Sequence, residues 1–117
     1  MSSNVKVIGA DATNTTAALA TGLVVVASPA KLFKINALNT NAAARWIQIF
    51  DAAAMPADAT VPLISIPVGI GAAVSESWPD GRPFKNGICI CNSTTAATKT
   101  IGAADSLIDA SFRKTTA

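Results

Sequence analysis

The chain has 117 residues, of which 14% are charged and 50% hydrophobic, with a formal net charge of +2. That length holds one domain, whose core removes about two-thirds of the unfolded surface from water. Lys and Arg are scattered singly apart from Arg113-Lys114, so no clustered basic face offers itself to nucleic acid, and the absence of histidine removes the commonest general base and metal ligand.

Mean hydropathy is +0.43. Abundant alanine raises that index, but the low charge still contrasts with the roughly one-quarter charged residues of an ordinary soluble domain. It favours a domain that works inside an assembly. Met1, Ser2, Ser3 and Asn4 are polar, and a basic segment followed by an apolar one is missing. The longest apolar run, 22–27, is far short of the ~20 residues that span a bilayer. The expectation is synthesis in the cytosol without a signal peptide, and no membrane partner.

In chain order, residues 4–9 alternate Val5 and Val7 with Lys6 and Ile8, a short first strand. Residues 11–16 read as a polar break, where Thr13, Thr15 and Thr16 invite turns. The run Gly22-Leu23-Val24-Val25-Val26-Ala27 reads as a fully buried strand. Residues 31–40 place Phe33, Ile35 and Ala37 on one face, with Leu32, Lys34, Asn36 and Leu38 opposite.

The stretch Arg45-Trp46-Ile47-Gln48-Ile49-Phe50-Asp51 has strand composition. Ile47 and Ile49 form its core face. Trp46, Gln48 and Phe50 form a mixed face that a second sheet or a partner chain covers in part. Ile47→Asp is therefore expected to unfold the domain, and Gln48→Ala to be tolerated. The cluster Asn39-Thr40-Asn41 turns the preceding strand into a hairpin with this one.

Pro62 and Pro67 put strand 61–68 at an edge or at bulges. Strand 72–78 follows, and Pro79-Asp80-Gly81-Arg82-Pro83 reads as a turn. In 87–91, Ile88 and Ile90 face one way, Cys89 and Cys91 the other. Residues 92–100 read as a Thr/Ala loop, and 106–113 closes with Ile108, Ala110 and Phe112 on one face. About eight short strands, with turn signals roughly every ten residues, indicate an all-β fold. The expected fold is a single-domain antiparallel β-sandwich over 1–117, jelly-roll-like or Ig-like, with short N- and C-terminal arms.

The candidate chemistry is thin. Cys89 and Cys91 share one face of an extended strand, which strains a bridge between them, and further metal ligands are wanting. They read as reduced, buried thiols in a protein folded in the cytosol. Asp51, Asp58, Asp105 and Asp109 lack the compact loop that calcium prefers. Glu76 is the only glutamate, and nothing selects a second carboxylate for glycosidase chemistry. Trp46 and Trp78 fit core or interface anchors better than a sugar platform. Gly69-Ile70-Gly71 is too short for a phosphate loop. No catalytic, cofactor or metal site is expected.

Four blocks carry a resemblance: the Arg45-to-Asp51 run, the proline-bounded loop 56–62, Phe84-x-x-Gly87-Ile88, and Ser93-Thr94-Thr95 ahead of Ala104-Asp105. In that order, over 31–113, the chain resembles small all-β virion structural proteins of tailed bacteriophages. The resemblance implies a non-enzymatic particle component, in the first place a capsid decoration (cement) protein on the head shell. A tail, baseplate or fibre-anchor subunit is the second expectation, and a carbohydrate-binding module is the rival from another class. The implied partners are the major capsid protein or other virion proteins, and further copies of the chain, a trimer ahead of a dimer. The candidate interface comprises Met1, Ser2, Ser3, Asn4, Trp46, Phe50, Arg113 and Lys114.

Overall fold

The computed structural model describes residues 10–115. The expected first strand at 4–9 and the arm residues Met1, Ser2, Ser3 and Asn4 lie outside them. The described residues form eight strands: β1 (Ala12–Thr15), β2 (Gly22–Val26), β3 (Ala30–Asn39), β4 (Arg45–Asp51), β5 (Ile64–Val68), β6 (Ala73–Phe84), β7 (Ile88–Ser93) and β8 (Ser106–Lys114). They form two four-stranded antiparallel sheets, ordered β1-β8-β3-β6 and β2-β7-β4-β5. That interleaved order, first strand beside last and second beside seventh, is a jelly roll rather than an Ig arrangement.

Between the sheets lies the core: Leu32, Ile35, Ala37, Ile47, Ile49, Ile88, Ile90, Ile108, Ala110 and Phe112, with Val68 and Phe84. The alternation in β4, β7 and β8 places them there directly, because successive side chains point to opposite faces. Ile47 and Ile49 are fully buried, as the sequence pattern requires.

Five local readings are corrected. Strands β3 and β4 lie in different sheets, so the expected hairpin between them does not form. Residues 12–15 are strand β1, not a break, because they pair along β8 from Ala12↔Phe112 to Thr15↔Asp109. Strand β2 is an edge strand with Val24 39% exposed, not a strand buried on both faces. An extra residue at Val25 shifts its register against β7, so consecutive Val25 and Val26 both join the core. The turn expected at 79–83 is absorbed into β6. Arg82 pairs with Leu32 and Ser77 with Lys34, so residues 78–81 form a bulge opposite Phe33 alone. Gly81 takes φ +79° there, where a Cβ would press on the Phe33 ring. The same bulge changes parity in β3, and Leu32 points inward together with Ile35, opposite to the unbroken alternation expected.

Edge strand β5 carries Pro67, as expected. Edge strand β6 carries Pro79 and Pro83. At the other pair of edges, Asn14 of β1 donates its amide to Val24 O (3.3 Å) and Val25 O (3.0 Å) across the bulge in β2. That side chain ties the two sheets together.

Candidate interaction surfaces

The outer face of the β2-β7-β4-β5 sheet is sealed by the chain itself. Phe50, Cys89 and Cys91 are buried there with Ala52 and Met55 packed against them. Gln48 is fully buried under the loop 94–100. Its Nε2 donates to the carbonyls of Thr95 (2.9 Å), Ala96 (3.2 Å) and Thr98 (3.2 Å). Gln48 thus anchors a loop, and the expectation that its loss is tolerated is corrected. The mixed face of β4 needs no partner chain to cover Phe50.

Two loops build this cover and lock each other. Ala59 N donates to Lys99 O (2.7 Å) and Lys99 N to Thr60 O (2.9 Å). The buried Lys99 ammonium reaches Asp58 at 3.1 Å, and Asp58 also accepts from Ile101 N. The Lys99 hydrogen bond holds the Asp58 carboxyl below its ordinary value, against a smaller opposing effect of desolvation. At the far end of the face, burial tends to raise Asp51, but the backbone N–H groups of Asn86, Lys85 and Gly87 outweigh it and leave the carboxyl lowered. Burial pushes the Cys91 thiol up to about 11 and raises Cys89 too. Both thiols are free, and Cys89 Sγ donates to Ala52 O. Neither is a ready nucleophile at neutral pH.

The outer face of the β1-β8-β3-β6 sheet is open. Thr13 and Ser111 pair in one row with Lys34 and Ser77, and Thr15 and Asp109 in the next with Asn36 and Ser75. Asp109 accepts from Thr15 Oγ1 at 3.0 Å. Beside these rows an open groove of about 300 Å³ is lined by Leu38, Ala73, Val74 and Leu107 among others.

A third region lies at the end of the sandwich where β3 runs into β4. The inward positions that continue the core there are polar: Asn39 after Ile35 and Ala37, Asn92 after Ile88 and Ile90, Arg45 before Ile47, and Ser106 before Ile108. Asn92 Nδ2 donates to Ser106 Oγ (2.8 Å), Ala103 O (2.9 Å) and Asp105 Oδ1 (3.3 Å). Asn39 Nδ2 donates to Ala43 O (2.9 Å) and Gly69 O (3.0 Å). Asp105 accepts from the Asn41 amide and lies 3.9 Å from the Arg45 guanidinium. Gly102 is required here, because a Cβ at that position would fall 1.9 Å from Asn92 Oδ1. One polar side chain from each of four central strands therefore closes the core and holds the loops above it.

No protein-family model, curated protein or solved structure matches the chain. The surfaces must be read from their own chemistry. Among the described residues, no group of three or more His, Cys, Asp or Glu side chains gathers. Of the expected interface residues, Trp46 is half-buried and Phe50 is buried under the chain's own loop. Arg113 and Lys114 are the last residues of β8, paired with Lys31 and Ala30, so they belong to the sheet rather than to a free tail. Trp78 is half-buried and packs on the core from the bulge in β6. The two tryptophans lie on different sheets and form no joint platform. The polar layer was missed from sequence, although its signal was present: the alternation of each strand, carried one step further, lands on a polar residue at the same end.

Proposed function

We propose that the chain is a non-enzymatic structural component of a bacteriophage virion, a capsid decoration protein that seats on the head shell and works as an oligomer, a trimer ahead of a dimer. The carrying observation is the open four-stranded face of β1-β8-β3-β6, left bare while the opposite sheet is sealed by its own loops. An open face with short hydroxyl side chains, the cations of Lys31, Lys34 and Arg113, the carboxylate of Asp109 and an apolar groove suits attachment to a protein shell of many identical copies. There, weak contacts gain from multiplicity. The jelly roll is at home among viral capsid proteins, although it also hosts lectins and cupins, and a fold alone assigns no function. The resemblance of blocks in 31–113 supports the same reading. Two half-buried tryptophans on different sheets favour it over a sugar-binding module.

Mass spectrometry of purified virions tests the reading. Hundreds of copies per particle are expected. A few copies would move the protein to the tail, baseplate or fibre anchor. Absence from particles, with the purified protein retained on a glycan array, would overturn it.

A further inference from the structure

The connection from β6 to β7 is Lys85-Asn86-Gly87. Its first two N–H groups meet one carboxylate at the end of β4. Asn86 N donates to Asp51 Oδ1 at 2.8 Å, and Lys85 N to Asp51 Oδ2 at 3.1 Å. Gly87 is buried and has no room for a side chain, because a Cβ would fall 2.6 Å from both Ala52 O and Val26 O. Its carbonyl accepts from Ala52 N at 3.2 Å, a bond that roots loop 52–63 on the sheet. Ala52 O in turn accepts from Cys89 Sγ at 3.3 Å. The connection therefore holds one end of the cover over Cys89. The Asn86 side chain takes no part in this. It is exposed, and its amide makes no hydrogen bond among the described residues. Packing thus demands glycine at 87 and sets it directly behind a free asparagine. No other asparagine of the chain precedes a glycine. An Asn-Gly pair is the most labile setting for this heat-sensitive residue, because nothing on glycine hinders attack by its own backbone nitrogen.

We propose that Asn86 is a site of spontaneous deamidation, that Asp51 restrains the reaction, and that conversion releases the cover over Cys89. Gly87 N loses its proton to water and attacks Asn86 Cγ. A five-membered succinimide closes, and the side-chain nitrogen leaves as ammonia. Water then adds to one of the two ring carbonyls, and the C–N bond that breaks leaves aspartate or isoaspartate at 86. One amide nitrogen is exchanged for oxygen, with no change of oxidation state. Asp51 opposes this in two ways. Its bonds to the Lys85 and Asn86 N–H groups fix the backbone on which the ring must close. Its charge disfavours the anion that Gly87 N must become. The native chain therefore reacts when the connection opens locally. Isoaspartate lengthens the main chain by one methylene between residues 86 and 87. Gly87, wedged against Ala52 O and Val26 O, has no slack to absorb it. The new carboxylate also lies on the turn that Asp51 binds and repels it. Once Gly87 shifts, Ala52 N loses its acceptor, and loop 52–63 lifts at its root above Cys89. This site stands independently of any attachment to a shell.

Ageing the purified protein at neutral pH and body temperature tests it, with peptide mass spectrometry that separates aspartate from isoaspartate. The samples are the wild type, Asp51→Asn, Ile35→Val and Asn86→Ala, each checked by a thermal melt. Wild type unfolded in guanidinium chloride is the reference. In the native chain Asn86 is expected to convert faster than every other asparagine, and about tenfold more slowly than in the unfolded chain. Asp51→Asn should convert about fivefold faster than wild type, because a neutral acceptor holds the N–H groups less strongly. Ile35→Val, which loosens the opposite sheet, should leave the rate unchanged. Aged wild type should label at Cys89 about tenfold faster than fresh protein, and aged Asn86→Ala at the fresh rate. Native Asn86 that converts as fast as in the unfolded chain, or not at all, overturns the proposal. So does Asp51→Asn that converts no faster than wild type, or an equal rise in Ile35→Val. Cys89 labelling that ignores conversion, or that rises equally in aged Asn86→Ala, overturns it as well.

Discussion

The two sheets carry outer faces of opposite kinds. On β2-β7-β4-β5 the chain folds two loops back and buries Gln48, Phe50, Cys89 and Cys91 beneath them. On β1-β8-β3-β6 it leaves Thr13, Lys34, Asn36 and Asp109 outside. Both faces begin as the outward half of a two-residue alternation. What separates them is the length of the connections that return over them. The loops 52–63 and 94–105 reach across one sheet and lock through Lys99, Asp58 and Gln48. A bare face is free for a partner. A sealed one is a second, smaller core.

Phe50 gives the largest test of that contrast. Phe50→Ala should cost about 3–5 kcal/mol, as truncation of a buried aromatic does. Leu107→Ala on the open face should stay within about 1 kcal/mol. Urea melts of the two variants measure it, and equal costs would mean that the sealed face is no core.

Gln48→Ala comes next, at about 1–3 kcal/mol, because three loop carbonyls lose their buried donor. Asn36→Ala should change stability by less than about 0.5 kcal/mol. Hydrogen exchange should show faster opening of 94–101 in the first variant only.

Thiol labelling compares the faces without altering stability. A cysteine placed at Ser111 should react at once with a thiol reagent at pH 8. Cys89 and Cys91 should react only as the cover opens, their thiols being buried and raised. Rapid reaction of all three would show the cover to be open in solution.

The smallest expected effect is the dependence on acid. Asp51 and Asp58, both on the sealed side, have carboxyls held below their ordinary value of 3.8. The unfolded chain then binds protons more readily than the native one. Their contribution is complete above about pH 4 and is lost as the pH falls through the lowered native values. Asp51→Asn should flatten the acid limb of a melting-temperature profile relative to the wild type.

Much of the sandwich was legible from period-two alternation. The bounds of β4 and the inward faces of β7 and β8 follow from Ile47-x-Ile49, Ile88-x-Ile90 and Ile108-x-Ala110-x-Phe112. What failed did so for physical reasons. Pro79 and Gly81 have turn chemistry, but a bulge at a sheet edge uses the same backbone angles. The valine run in β2 reads as buried on both faces because composition carries no information on which strand lies at an edge. The threonines of β1 form a strand only because β8 offers a partner from the other end of the chain. The cover over Gln48 depends on where two loops land, which no local pattern encodes.

The neighbourhood of β1 and β8 has a consequence for how the molecule is made. Strand β8 lies between β1 and β3, so the centre of one sheet is filled by the last of the eight described strands to leave the ribosome. Until it emerges, β3 shows a bare edge towards that gap and β1 has no strand to pair with. Pairings between remote parts of a chain form slowly, because closing a long loop costs entropy before any contact offsets it. A ribosome stalled before residue 106 would therefore hold a nascent chain with a gap in one sheet, a target for chaperones and for premature strand exchange between neighbouring nascent chains. Strand β8 acts as the latch of biosynthesis, and protease resistance of arrested chains should rise abruptly once it clears the exit tunnel.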